Sequence, residues 1–338
     1  MDDLKGADTM KREELLYMGH PSQKYYAEEH RLKGGKGEGM RLLEIHNGKG
    51  MLITLCPDRC LDITRLHFKG DNMGYFSPCG YVAPPYYDDA GVGFLRSFTG
   101  GFLTTCGLRN AGNPSEDDGE ALGLHGRIGN TPADVCSHWI EEQAGEDVIR
   151  IQATMSEARV GGEKLTLHRS MAVYTHQNKI RIQDTVKNEG TAVESLMLLY
   201  HFNMGYPLLT ERAILTIPAE KIIPRNEHAA TGLQDWMKME KPTRDYEEMC
   251  FYHTVKKNER GMREVSLYNP NLHKGVKLSF DLPRFMQWKM MGQREYVLGL
   301  EPGNCTIDGR KNAREKGELD RLPGGEQITY TIEIELYE

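Results

Sequence analysis

No run of about 18 apolar residues occurs anywhere in the 338-residue chain, so nothing in it reads as a membrane-spanning helix. Blocks of one charge are missing as well. The 42 Lys and Arg and the 49 Asp and Glu are interspersed, with a net charge of −7. No basic run is available to neutralise phosphates, which excludes nucleic acid as a partner. The seven cysteines are odd in number and irregularly spaced. They form no disulfide framework and read as free thiols in a reducing compartment. Cys56 and Cys60 lack a second ligand pair for zinc. Neither HExxH nor HxH occurs, so no metal is expected. The absence of GxSxG argues against acyl transfer. Glycine clusters at 34–39 and 91–93, but the first precedes a strand and the second has no third glycine in register, so no nucleotide cofactor is expected. Residues 1–14 are polar and charged, without the apolar core of a secretory leader. The expected location is cytoplasmic.

What is present is a globular composition, 27% charged and 39% hydrophobic. Neither an internal repeat nor a Pro- or Ser-rich linker divides it. The reading is a partly helical extension over 1–39 and a single domain over 40–338. Strand signals dominate. Segments 41–45 and 51–55 flank an Asn47-Gly48 hairpin turn. Alternating or β-branched stretches follow at 62–68, 148–155, 164–174, 179–187, 265–268, 276–282, 296–300 and 327–336. Segment 195–201 is apolar almost throughout, as in a strand buried on both faces. Short helices are expected only within 13–29 and 232–239. Many short strands with turns between them predict an all-β sandwich or barrel. The long Gly/Pro/Asp-rich loops 78–92 and 110–124 are of the kind kept for binding.

Four segments look unlike ordinary strand or turn sequence: Leu-Arg96-Ser-Phe-Thr-Gly-Gly, Leu-His125-Gly-Arg127, Leu-Tyr-His201-Phe-Asn-Met-Gly and Leu-Glu301-Pro-Gly-Asn. His201 and Glu301 each end an apolar run. Desolvation raises a carboxyl from its ordinary value of about 4.3, and a histidine titrates near about 6.5, so together they offer a base and an acid near neutral pH. Taken singly, each has a bland alternative: a packed strand-end histidine, a Glu-Pro-Gly turn, a loop-clamping arginine.

In this order and spacing the four segments resemble the galactose mutarotase-like superfamily, its aldose 1-epimerase-like branch, over roughly residues 40–336. The resemblance implies a large antiparallel β-supersandwich with few short helices. It implies an isomerase that interconverts the α and β anomers of an aldose without a cofactor, Glu301 being the base and His201 the acid. His125 and Arg96 would hold sugar hydroxyls. The Asn that precedes the family's arginine is absent before Arg96, and Tyr200 replaces the Asn before the second His. Arg59 and Arg127 are further candidates for an acidic substituent of the sugar, or for pairing with Asp58, Asp62 or Asp117. Asp235 and Asp245 lie where the family has another sugar-binding Asp. A non-catalytic carbohydrate-binding module, or a sugar isomerase or lyase on the same sandwich, are the alternatives. The partner expected is a small sugar, with a homodimer left open.

Overall fold

The computed structural model describes residues 13–338. Its frame is three antiparallel sheets. A five-stranded sheet runs in chain order through Tyr26–Arg31, Arg41–His46, Met51–Cys56, Asp62–Phe68 and Asp71–Asn72. An eight-stranded sheet starts at the edge strand Val135–Gln143 and includes Glu146–Ala158, Lys164–Tyr174 and Lys179–Asn188. The last strand, Gln327–Tyr337, joins Lys179–Asn188 to Lys274–Phe280 within it. The third sheet contains Ala219–Pro224, Met249–Val255, Arg284–Gly292, Glu295–Gly303 and Glu194–Met204, with Leu103–Leu108 paired to the last. Among the described residues no helix is long and apolar enough to cross a membrane.

Burial follows the sequence pattern. Lys179–Asn188 alternates buried and exposed residues, as expected of a strand with one face on the core and one in solvent. Glu194–Met204 is buried from Leu196 onward. Its even residues, Leu198, Tyr200, Phe202 and Met204, enter the main core. Its odd residues, Met197 and Leu199, enter a smaller cluster with Cys106, Cys250, Met286 and Ile307. His201, two residues further on, therefore projects from the second face.

Behind that strand lies a buried ion network. The Arg169 guanidinium is fully buried and donates to Asp62, to Asp184, to the Thr105 hydroxyl and to the Cys60 carbonyl. The Tyr200 hydroxyl donates to Asp184 at 2.8 Å. Five strands, those of Asp62, Thr105, Arg169, Asp184 and Tyr200, are thus pinned at one point. Each charge has a partner, which a buried charge requires.

Two expectations are corrected. Within 13–29 the helical pieces are residues 13–15 and the 3-10 turn Pro21–Gln23, and Tyr26–Arg31 is a strand paired with Arg41–His46. It is an exposed edge strand, and edge strands carry the charged residues that otherwise mark a helix surface. The helix expected over 232–239 is one 3-10 turn, Leu233–Asp235. A short helix precedes it, Glu227–Thr231, capped by the Asn226 side chain on Ala229 N. The loop 110–124 contains a small hairpin, Ser115–Asp117 with Glu120–Leu122.

Candidate active site

Strand register brings His201 and Glu301 together. Leu199 is opposite Gly303 and Phe202 opposite Leu300, which sets His201 across from Glu301 on the neighbouring strand. Side chains directly opposite on antiparallel strands have Cβ atoms about 5 Å apart. The His201 Nε2 lies 3.3 Å from Glu301 Oε1. Glu301 is fully buried, and neither of its carboxylate oxygens makes a hydrogen bond of ordinary geometry to the described residues. Space for that carboxyl exists because residue 299 is glycine: a Cβ there would come within 2.4 Å of Glu301 Oε1.

The loop ending at His125 supplies the second histidine. His125 has φ 60°. Its N–H donates to Gly112 O, and its carbonyl accepts from Gly107 N. Gly126 passes so near the backbone that a Cβ would lie 2.3 Å from Gly107 O and 2.4 Å from Asn110 O, at a φ of +69° that also favours glycine. The Gly112 N–H donates to His125 Nδ1 at 3.3 Å. The neutral ring therefore carries its proton on Nε2.

These groups line a cavity of about 160 Å³ with Phe94, Phe98, Arg225, Glu248 and Trp288. The His201 ring is edge-on to Phe98, His125 and Trp288, with centroids 5.6, 5.5 and 5.2 Å away. Such surroundings disfavour charge. Burial pushes the His201 pKa down to about 4, opposed by Asn203. Burial, with the positive ends of His201 and Arg225 nearby, pushes His125 down to about 3. Burial raises Glu301 well above the ordinary carboxyl value; Glu248 adds to this and Arg225 opposes it.

The candidate arginines fare differently. Arg59 is buried away from the cavity, where its guanidinium donates to the carbonyls of Gly129, Val82 and Ser97. It clamps loops there. Arg96 is solvent-exposed at the end of the turn Gly93–Arg96, and its neighbour Leu95 reaches the cavity instead. Arg127 is exposed and paired with Asp89. None of these three lines the cavity. The arginine that does is Arg225, held by Asp308 at 3.2 Å. Asp58, Asp62 and Asp117 pair instead with Arg41, Arg169 and Arg310. Asp245 is exposed, and Asp235 offers its backbone carbonyl to Lys289. The second acidic group at the cavity, beside Glu301, is Glu248, which accepts from Trp288 Nε1 at 2.6 Å. Sequence reading missed Arg225, Glu248 and Trp288. Only the Pro-Arg end of a β-branched strand hinted at the first.

Comparison with known proteins gives the following. The model of the family described as a domain of unknown function (DUF4432) matches residues 37–336. Curated proteins yield no match. Among solved structures, a candidate aldose 1-epimerase from Klebsiella pneumoniae is 29% identical, with a TM-score of 0.88 over 93% of this chain and 84% of that one. A galactose mutarotase-like protein from Clostridium acetobutylicum is 13% identical, TM-score 0.66, over 94% of this chain and 99% of that one. The galactose 1-epimerase of Lactobacillus acidophilus is 12% identical, TM-score 0.60, over 93% and 99%. The last two likenesses are of fold.

Proposed function

The chain belongs to the DUF4432 family, and on that premise we propose that it is an aldose 1-epimerase-like enzyme that interconverts the α and β anomers of a sugar by acid–base ring opening. The observation that carries this reading is the contact of one imidazole and one carboxyl, 3.3 Å apart, in a cavity walled by aromatic rings. Anomer exchange needs that arrangement. The hydroxyl oxygen O1 and the ring oxygen O5 are bonded to the same carbon, so the groups that serve them must be neighbours.

One member of the pair takes the O1 proton while the other gives a proton to O5. The C1–O5 bond breaks and C1=O1 forms. The open aldehyde turns about C1–C2 and recloses on its other face, with the two groups exchanging roles. A positioned proton transfer contributes about 10²–10⁴-fold, enough for a reaction that already runs slowly in water. The cavity is smaller than the few hundred Å³ usual for drug-sized ligands, which suits a single sugar ring. His125, neutral with its proton on Nε2, would donate to a sugar hydroxyl. Arg225 and Glu248 would bind hydroxyls at the other wall, and the Trp288 ring would lie against apolar C–H groups.

The pair works while it carries one proton, so kcat/KM is expected to hold flat from neutral pH downward and to fall near pH 4, where His201 charges as well. Its alkaline limb lies where Glu301 loses its proton. Rate measurements between pH 3 and 9 check this, and an acid limb at the ordinary imidazole value of about 6.5 would contradict the buried pair. Substitution should separate the histidines. His201→Asn is expected to lower kcat by about 10² or more. His125→Asn is expected mainly to raise KM, by about 5–10-fold for one lost hydrogen bond. The reverse ranking would mean that the acid–base and binding roles are exchanged.

The direct test is NMR of pure anomers of neutral and acidic sugars with the purified protein. Acceleration of exchange with no other product supports the reading. Binding without acceleration would make the chain a carbohydrate-binding module, and a new product would make it a different isomerase or a lyase.

A further inference from the structure

The face of the third sheet that carries Glu301 continues past the cavity. Residues directly opposite on paired strands share a face. Ile223 is opposite Tyr252, Tyr252 opposite Met286, and Met286 opposite Glu301. The four therefore make one row across Ala219–Pro224, Met249–Val255, Arg284–Gly292 and Glu295–Gly303. Met286 and Glu301 line the cavity of about 160 Å³. Ile223 and Tyr252 line a second hollow of about 390 Å³, together with Arg284, Phe285 and Thr306. The chain after Glu301 crosses the same boundary, since Thr306 lines the hollow and Ile307 the cavity. Neighbouring strands lie about 4.8 Å apart, so the Tyr252 Cα is roughly 10 Å from that of Glu301.

The hollow has the chemistry of a sugar ring rather than of an ion. Arg284 is already paired with Glu318 at 3.4 Å. What remains is polar and uncharged. The hydroxyls of Tyr252 and Thr306 are buried without a hydrogen bond of ordinary geometry to the described residues. His253 also lines the hollow and is 5% exposed. Its Nε2 is held by Gln287 at 3.1 Å, while its Nδ1 is buried without a partner among the described residues. Buried polar atoms left unpaired are costly, and a ligand hydroxyl would satisfy them. Ile223, Pro283 and Phe285 supply apolar surface beside them. A ring with hydroxyls at its rim and C–H groups on its faces matches both halves.

We infer that this hollow is a subsite for a second ring, and that the substrate is a reducing disaccharide with its free anomeric carbon at His201 and Glu301. This rests on the epimerase reading and names the substrate class of that same site. Ring opening needs one free C1 hydroxyl, so the second ring must be joined to the first through an oxygen remote from C1, such as O4 or O6. A first ring lying along the row, with C1 at Glu301, passes the second ring over Met286 to Tyr252. There the Tyr252 and Thr306 hydroxyls bond its hydroxyls, and Ile223 lies against its C–H face. The cavity alone suits one ring. With the hollow, the site reaches the several hundred Å³ of ordinary ligand pockets.

Calorimetry on the full chain tests the subsite, with glucose and galactose set against their disaccharides linked through O4 or O6. At least one disaccharide is expected to bind about 10-fold or more tighter than its own reducing monosaccharide, from two added hydrogen bonds at about 5-fold each. Ile223 stands on an edge strand and is 44% exposed. Ile223→Trp puts a large ring into the hollow and should abolish the preference. Thr306→Val removes one hydroxyl at nearly constant shape and should reduce the preference about 5-fold; it decides the matter if Ile223→Trp does not fold. Disaccharides that bind no tighter than monosaccharides overturn the inference, as does a preference that neither substitution moves. Anomer exchange is followed separately by NMR on the same sugars. Exchange of monosaccharides without any disaccharide preference keeps the epimerase reading and ends the subsite. Disaccharide binding that the variants lose, with exchange of no sugar accelerated, ends the epimerase reading and leaves the subsite standing.

Discussion

Glu301→Gln is expected to abolish catalysed anomer exchange, a loss of about 10²–10⁴-fold, while the protein stays folded. The amide has nearly the shape of the carboxyl but can neither accept a proton nor pass one on. Folding should be indifferent to the change. The Glu301 oxygens make no hydrogen bond to the described residues that an amide would forfeit, and Gly299 leaves room for either group. Removing a carboxyl from a fully buried position also removes the penalty for ionising it there. Polarimetry on pure anomers, corrected for the spontaneous rate, measures the effect, and the denaturation midpoint measures the fold. A variant as fast as the wild type would show that the carboxyl takes no part. The sugar KM should change little, since the loss falls on proton transfer.

The largest effect on stability is expected at Arg169. Arg169→Met should cost about 3–5 kcal/mol, read as a fall in denaturation midpoint. The methionine fills much of the volume but leaves two carboxylates, Asp62 and Asp184, buried without their cation. Burial already pushes the Asp62 carboxyl up even with Arg169 beside it. Without the guanidinium, charged carboxylates there become untenable. The comparison is Arg127→Met. Its pair with Asp89 is exposed, so its loss should fall within about 1 kcal/mol. If both variants lose equally little, the network behind His201 does not hold the sheets together. Because Tyr200 is tied to Asp184 and adjoins His201, partial damage at Arg169 should also slow any reaction that uses His201.

Much of the architecture could be read from the residues. The Asn47-Gly48 turn lies between Arg41–His46 and Met51–Cys56, which pair as a hairpin. The apolar run before His201 is a strand buried on both faces, because a strand with no solvent side has no polar alternation. Strands such as Leu103–Leu108 and Met249–Val255 passed unnoticed. The first is broken by Thr and Gly and is buried throughout, so it lacks the period of two. The N-terminal edge strand looked helical because its charged residues face water.

At the cavity, His125, His201 and Glu301 were legible because a polar residue ending an apolar run, or set in a glycine-rich loop, has little packing purpose. The arginines were not. Arg59, Arg96 and Arg127 stand beside conspicuous motifs, yet one is spent on backbone carbonyls and two point to solvent. Arg225 stands beside nothing conspicuous and reaches the cavity because it follows the strand Ala219–Pro224, which borders Met249–Val255.

By itself the sequence determined the type of element, since alternation and turn residues act over a few neighbours, and it determined which residues would be costly to bury without a purpose. Tertiary structure decided which of these meet. The distance from His201 to Glu301 depends on pairing register between strands a hundred residues apart. The direction in which an arginine points depends on which carbonyls lie unpaired nearby. Neither is a property of a short stretch of chain.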